Sequence, residues 1–220
     1  MFNMFSFKPK DPLERDLHAI ETWLGKHARR IAKYSLRPPA TAEALSELES
    51  FFGHALPEDF HTLYRWHDGM DGSKNFGSLF YGFPFFSLDE IRQVHSSNLR
   101  MSETVETAYK HSAPQIDGAI PFNKRWLQWV SDGARAGMYV DLAPTASGKS
   151  GQIIFLDPTY EKTILVADSI TQLVADVRRD MEHGMYGLNE ESLLFEKTHE
   201  LVTHPSIDLL NWSGSKRWRA

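Results

Sequence analysis

The fold is decided by the stretch Gly137-Met138-Tyr139-Val140-Asp141-Leu142, which is short, apolar and bounded by turn residues. Two similar stretches follow it, Gly151-Gln152-Ile153-Ile154-Phe155-Leu156 and Thr163-Ile164-Leu165-Val166-Ala167. A fourth, Ala119 to Phe122, precedes it. Residues of this type in runs of this length predict strands. Because the links between them are short, we expect the strands to pair in antiparallel fashion.

Helical patterns lie on both sides of this strand block. Apolar residues recur there at intervals of three, four and seven, and capping residues mark the ends. The order of helices, strands and helices predicts an α+β fold with a central, largely antiparallel sheet and extra helices at both termini. The final residues, Asn211 to Ala220, are predicted to be loose. The expected helices are Asp11 to Tyr34, Thr41 to Gly53, Pro57 to Asp68, Leu88 to Ser96, Ser169 to Gly184 and Asn189 to Val202.

Composition excludes several classes of function. The chain has no cysteine, which excludes disulfides, thiolate metal sites and a cysteine nucleophile. A net charge of −5 argues against nucleic acid as a partner and favours a basic one. The first residues lack the pattern of a secretory signal, and no apolar run is long enough to cross a membrane. We therefore expect a cytoplasmic protein without a membrane partner.

None of the motifs that resemble a ligand-binding or metal site is complete. The segment Ala143 to Ser150 ends like a phosphate-binding loop, but a strand follows where the motif requires a helix. Two Glu-x-x-His pairs, Glu58 with His61 and Glu196 with His199, lack the further glutamates of a di-metal site. The sequence therefore predicts no catalytic residues, no metal site and no cofactor.

Two segments resemble a known family. The run Leu56-Pro57-Glu58-Asp59-Phe60 to Asp68-Gly69 is similar to a segment of the SUKH superfamily, which includes the fungal Smi/Knr cell-wall regulators. The strand block resembles the same family in its turn Asp141-Leu142-Ala143-Pro144, its strand Gly151-Gln152-Ile153-Ile154 and its helix start Ala167-Asp168-Ser169. The order and spacing of these motifs carry the resemblance, which covers about residues 38 to 183.

The resemblance implies a compact α+β domain that binds other proteins without catalysis. We expect this domain over residues 38–184, with helical extensions over 1–37 and 185–220. Bacterial members of the family commonly neutralise toxins as immunity proteins. Our first hypothesis is therefore an immunity-type protein that occludes a toxin domain. The alternative is a regulatory scaffold of the Smi/Knr type without a toxin partner, and an enzyme ranks last.

Six residues are candidate anchors for the partner protein. The acids would meet a basic partner, and the tryptophans would fill its pockets. Some have a structural alternative: turn chemistry for Asp68 and Asp141, and a place in the core for one of the two tryptophans, with the other left open. The sequence does not fix the oligomeric state. The six candidates are Asp68, Asp71, Trp126, Trp129, Asp132 and Asp141.

Overall fold

A computed structural model describes residues 11–71, 73, 76–102, 108–120, 122–133, 136–196 and 199–219. These residues form six α-helices, seven strands and one π-helical turn at Ser192–Glu196. The helices are α1 (Pro12–His27), α2 (Arg29–Tyr34), α3 (Ala42–Phe52), α4 (Glu58–Trp66), α5 (Leu88–Ser102) and α6 (Ile170–Glu182). The strands are β1 (Phe76–Gly77), β2 (Trp126–Ser131), β3 (Gly137–Asp141), β4 (Gln152–Asp157), β5 (Lys162–Ala167), β6 (Tyr186–Leu188) and β7 (Glu200–Thr203).

The central sheet has four antiparallel strands in the order β2-β3-β4-β5. Its neighbours in sequence are neighbours in space, as the short links between strands require. A smaller sheet, β1-β7-β6, pairs β7 in parallel with β1 and antiparallel with β6. The predicted α+β fold with a largely antiparallel central sheet is therefore confirmed.

Both faces of the central sheet are covered. Val140 and Phe155 belong to the main core, together with apolar residues of α1, α3, α4 and α6. Tyr139 and Ile154 point to the opposite face, where Tyr109 and Ile116 cover them. Successive side chains of a strand point to opposite faces. Fully buried strands such as β4 therefore have no polar side and read as continuous apolar runs.

Two predicted helix starts are supported by hydrogen bonds, and a third local prediction by the strand that follows a loop. Ser87 and Glu90 form a capping box at the start of α5, with the Ser87 amide donating to Glu90 Oε2 at 2.7 Å. At α6 only half of the predicted capping box forms: Ser169 accepts from the amide of Gln172 at 3.1 Å, while the Gln172 side chain donates to Asp176. The segment between β3 and β4 is a turn rather than a phosphate-binding loop, because it leads into a strand.

Other predicted elements differ. The first helix is interrupted at Ala28, whose φ of −136° and ψ of 49° separate α1 from α2. The first strand of the sheet is β2 rather than Ala119 to Phe122, since residues 119 and 120 lie in a turn. The last helix is reduced to the π-helical turn, and β7 occupies the segment predicted to complete it.

The first and last described segments of the chain pack onto the main core. Leu13, Leu17 and Leu24 of α1 are buried, and α1 packs against α4 and α6. Near the other end, Leu209 and Trp218 belong to the same core, so the predicted loose tail is wrong within the described residues. The domain boundaries at residues 37 and 184 stay a prediction.

Candidate protein-binding site

Three of the six predicted anchors are buried. Trp126 and Trp129 are 2% and 0% exposed, and Asp141 is 0% exposed. The Trp129 ring meets Phe80 edge to face at 4.8 Å between centroids. An anchor must reach its partner, and these three side chains are not accessible in this conformation. Both tryptophan side chains lie in the protein interior, which is the structural alternative to a binding role.

Asp141 is a structural carboxylate at the end of β3. Its Oδ1 accepts hydrogen bonds from Trp126 Nε1 at 2.9 Å and from the Ala143 amide at 2.7 Å, and its Oδ2 accepts from Gln152 Nε2 at 2.8 Å. Burial raises the pKa of Asp141, while these donors act in the opposite direction. The side chain joins three strands and stabilises the turn that follows β3.

The other three predicted anchors reach the surface at least in part. Asp68 is half-buried, and its Oδ1 accepts from the Leu88 amide at 2.8 Å, which caps the start of α5. Asp71 is half-buried and accepts from the Ser73 amide at 2.9 Å. Asp132 is exposed after β2. Turn and cap chemistry thus accounts for Asp68, and a binding role for these three acids stays a prediction.

The structure adds a groove between α1 and α4 that was not predicted from the sequence. Its volume is about 260 Å³. One wall is formed by Glu14, Leu17, His18 and Glu21 of α1. Their spacing of three, four and seven residues places these side chains on one face of the helix. Leu17 lies at the floor, and the other three are exposed.

Trp66 forms much of the opposite wall, with Thr62 and Arg65 of the same helix. It is half-buried, and its Nε1 donates to Glu21 Oε2 at 3.2 Å across the groove. Its ring stacks on Phe85 with an interplanar angle of 7°. A Trp side chain fixed in this way presents a rigid, partly apolar surface to a partner.

The rim of the groove is charged. Glu14 and Glu21 lie on the α1 side. On the α4 side, the Arg65 guanidinium is engaged by the carboxylate of Glu58 and donates to Thr62 Oγ1 at 3.2 Å. Because Arg65 already has an acidic partner, the exposed carboxylates of α1 dominate the charge at the mouth.

Trp66 was not among the binding residues predicted from the sequence. On α4, the pattern predicts that Phe60, Leu63 and Tyr64 face inward, and all three are buried. Trp66 lies off that apolar face, beside the charged Arg65. A large aromatic residue outside the buried face of a helix is a signal for a protein-binding surface, because Trp is enriched in protein interfaces.

We find no metal-binding group in the described residues: none of their His, Asp and Glu side chains gather in a set of three or more suited to an ion. The groups with raised pKa values include Tyr64, Tyr139 and Asp141, all shifted first by burial. They lie in the core and away from the groove's lining. No helix in the described part of the chain is both long and apolar enough to cross a membrane.

Comparison with known proteins places this architecture. The model of the SMI1 / KNR4 family (SUKH-1) matches residues 39–176, from the start of α3 into α6. The chain belongs to this family. The match includes α4 and therefore the Trp66 side of the groove, whereas α1 lies before it.

Curated relatives are fungal regulators. The chain is 23% identical to the cell wall assembly regulator SMI1 of Saccharomyces cerevisiae, over 83% of this chain and 43% of that protein. It is 24% identical to the cell wall biosynthesis/cell cycle regulator smi1 of Schizosaccharomyces pombe, over 82% of this chain and 39% of that protein. The chain thus spans about two fifths of the length of these relatives. They favour the regulatory alternative over the toxin-neutralising hypothesis.

Proposed function

We propose that this member of the SMI1 / KNR4 family is a non-catalytic regulatory domain that binds a partner protein in the groove between α1 and α4. The observation that carries the proposal is the half-buried Trp66, held across that groove by Glu21 at 3.2 Å. The regulatory role is supported by relatives described as cell-wall regulators. The binding role is supported by the shape and chemistry of the groove.

The groove suits one large apolar side chain of a partner. The groove has a volume of about 260 Å³ and is open to solvent on one side. Leu17 and Trp66 line its inner surface. Interfaces obtain most of their binding energy from a few such anchors, surrounded by contacts that exclude water. The surrounding polar residues Glu14, His18 and Glu21 would form that rim.

The charge of the rim defines the partner further. Glu14 and Glu21 are exposed carboxylates at the mouth of the groove. A segment with Lys or Arg beside its apolar anchor would meet them with favourable charge. We therefore expect a basic, amphipathic segment, in agreement with the net charge of −5.

The toxin-neutralising function predicts the same kind of contact with a different partner. Its occupant would be a toxin domain, whereas a regulatory domain would bind a component of the host's own signalling or cell-wall machinery. The relatives' descriptions support the second. Identification of the bound protein separates the two.

The test is comparative capture from the native host. Tagged wild-type chain is compared with His18→Trp, which places a bulky ring at the exposed mouth of the groove, and with His183→Trp, an exposed position after α6. Bound proteins are quantified by mass spectrometry. We expect at least one protein to be enriched by the wild type and by His183→Trp and reduced at least fivefold by His18→Trp.

The proposal fails if no captured protein depends on the groove. It also fails if His18→Trp and His183→Trp reduce capture equally, because the effect would then be general. Circular dichroism of both variants, with thermal unfolding, verifies that each is folded before capture is compared.

A further inference from the structure

A second surface of opposite charge lies at the end of α1 and on α2. It consists of Lys26, Arg29, Arg30, Lys33 and Tyr34, all exposed, and is called the basic surface below. The residues from 22 to 42 contain no Asp or Glu, in a chain whose net charge is −5. Positive charge is therefore concentrated here in an otherwise acidic protein.

Helix stability does not account for this concentration. Lys26 lies in the last turn of α1, where a cation interacts favourably with the helix dipole. Arg29 and Arg30, however, begin α2, where the same dipole disfavours cations. Arg29 and Lys33 are four residues apart, so two like charges share one face of the helix and repel each other. The fold retains an arrangement that is locally unfavourable.

Internal ion pairs do not account for it either. Arg65, Arg92 and Arg179 are each held by a carboxylate of the same chain. Within the described residues, Lys26, Arg29 and Lys33 have no carboxylate within ion-pair distance. These three cations are available to an external anion.

The positive potential acts on its neighbours. Lys33 Nζ lies 4.9 Å from the centre of the Tyr34 ring, and the Arg30 guanidinium lies 5.9 Å from it. A hydrogen bond and the charge of Lys33 lower the pKa of Tyr34. The pKa of His199 is lowered by burial and, in addition, by Arg30. Arg30 therefore also lies close enough to affect His199, just before β7.

The backbone under these side chains is fixed. Ala28, between the two helices, is 0% exposed, and its amide donates to the Leu24 carbonyl at 2.7 Å. Ile31 is 0% exposed in the main core. These contacts anchor the backbone below the basic surface, which reduces the entropic cost of binding.

We propose that the basic surface binds an acidic segment of a partner protein, one that carries several carboxylate or phosphoryl groups. Arg29 supplies a planar guanidinium group that holds such oxygens in bidentate fashion, Lys26 and Lys33 add point charges, and Arg30 adds to the positive potential. Tyr34 offers a ring against which an apolar residue of that segment packs. This site is independent of the groove and extends the proposed function to a second contact.

An acidic peptide fits better than a membrane or a nucleic acid. Stable membrane binding requires an apolar face or a lipid anchor in addition to cations, and the basic surface has Tyr34 alone. Nucleic-acid binding requires cations along many phosphates. The basic surface spans two short helical segments, which matches a segment of a few acidic residues.

The test is direct binding to the full chain at low ionic strength. The probes are fluorescein-labelled peptides of equal length: one rich in Glu and Asp, one with phosphoserines, and one with the acids replaced by Gln and Ser. We expect saturable anisotropy changes with the acidic or the phosphorylated peptide, and at least tenfold weaker binding at 300 mM salt than at 50 mM salt. The ratio of the two affinities distinguishes carboxylate from phosphoryl recognition.

A matched pair of variants locates the site. Arg29→Glu/Lys33→Glu reverses two charges of the basic surface, and Lys124→Glu/Lys216→Glu reverses two exposed charges elsewhere. The first pair should weaken peptide binding at least tenfold and the second less than twofold. If the Arg29→Glu/Lys33→Glu variant unfolds, Arg29→Gln/Lys33→Gln replaces it in the binding measurement, because it removes the two charges without reversing them.

Three outcomes would overturn the proposal. The first is the absence of saturable binding by either acidic peptide. The second is equal loss of binding in the two matched variants. The third is tighter binding to another ligand than to the acidic peptides. That ligand would be a vesicle with 30% phosphatidylserine or a single-stranded oligonucleotide of equal charge, and its binding would depend on Arg29 and Lys33. Loss of groove-dependent capture by His18→Trp tests the other site and leaves this result unaffected.

Discussion

Arg217 holds the buried carboxylate of Asp180 through two parallel hydrogen bonds, from Nη1 to Oδ2 at 2.6 Å and from Nη2 to Oδ1 at 2.8 Å. The Tyr81 hydroxyl donates to the same carboxylate at 3.0 Å. This contact fastens the end of the chain to α6. It also places the Arg217 guanidinium 5.5 Å from the centres of the Tyr81 and Trp218 rings.

Removal of Arg217 should destabilise the protein through the charge that remains. Asp180 has a side chain only 7% exposed, whereas that of Arg217 is 36% exposed. We expect Arg217→Met to lower the free energy of unfolding by about 2 kcal/mol, between the values for exposed and buried ion pairs. Urea unfolding measures this loss. The variant Asp180→Asn/Arg217→Met should be more stable than Arg217→Met alone, since it no longer buries an unpaired charge; a less stable double variant contradicts this account.

Trp218 anchors the tail through apolar burial. It is 7% exposed, and its Nε1 donates to the Ile207 carbonyl at 2.8 Å. Trp218→Ala should lower the free energy of unfolding by about 3 kcal/mol, because it leaves a cavity and an unpaired carbonyl. The exposed neighbour Arg219 provides the control, and Arg219→Ala should change stability by less than about 0.5 kcal/mol. Equal stability of the two variants would mean that the tail is loose.

Gly69 and Gly53 form a natural pair for testing backbone geometry. Both have positive φ, +76° and +79°, but a Cβ at Gly69 would overlap the backbone of Phe86 and Ser87, whereas Gly53 has open space. Gly53→Ala should lower the free energy of unfolding by about 1 kcal/mol, because alanine disfavours the left-handed conformation. Gly69→Ala should lower the free energy of unfolding by about 3 kcal/mol or more, because the start of α5 must also move. Thermal unfolding of the two variants under identical conditions gives the comparison; a similar loss in both would exclude close packing at Gly69.

His95 should make the stability depend on pH. It is 4% exposed between Phe51 and Phe52, and burial lowers its pKa. In the window between this lowered pKa and the ordinary value of about 6.5, the unfolded chain binds more protons than the folded one. The free energy of unfolding therefore falls as the pH falls below about 6.5.

The corresponding measurement is urea unfolding between pH 5.5 and pH 8 for the wild type, His95→Leu and His183→Leu. His95→Leu should have a smaller loss of stability on acidification than the wild type. His183 is exposed, so His183→Leu should retain the wild-type slope. His199, whose pKa is also lowered, contributes in the same direction and accounts for a residual slope. An unchanged slope in His95→Leu would contradict the assignment.

Much of the fold could be predicted from the sequence because its signals are local. Three of the four strands of the central sheet, the capping box at Ser87 and the helix cap at Ser169 depend on short runs and fixed spacings. Strand β2 was missed because two buried polar residues, Gln128 and Ser131, interrupt the apolar run that marks a buried strand. The break at Ala28 has no local signal, since Ala is the best helix former.

The site could not be predicted for a different reason. The groove exists because Leu17 and Trp66, forty-nine residues apart, meet where α1 packs against α4. Trp126 and Asp141 were plausible anchors by residue type, yet they satisfy each other in the interior. Residue type indicates what a side chain can do, and only tertiary packing decides whether it reaches the surface.

Hydrogen exchange of the captured complex tests the central claim most directly. Amide exchange of the full chain is measured by mass spectrometry with and without the partner identified by capture. The account predicts slower exchange in the segments that contain Glu14 to Glu21 and Thr62 to Trp66. Unchanged exchange in both segments, with protection confined to β4 and β5 on the central sheet, would contradict it.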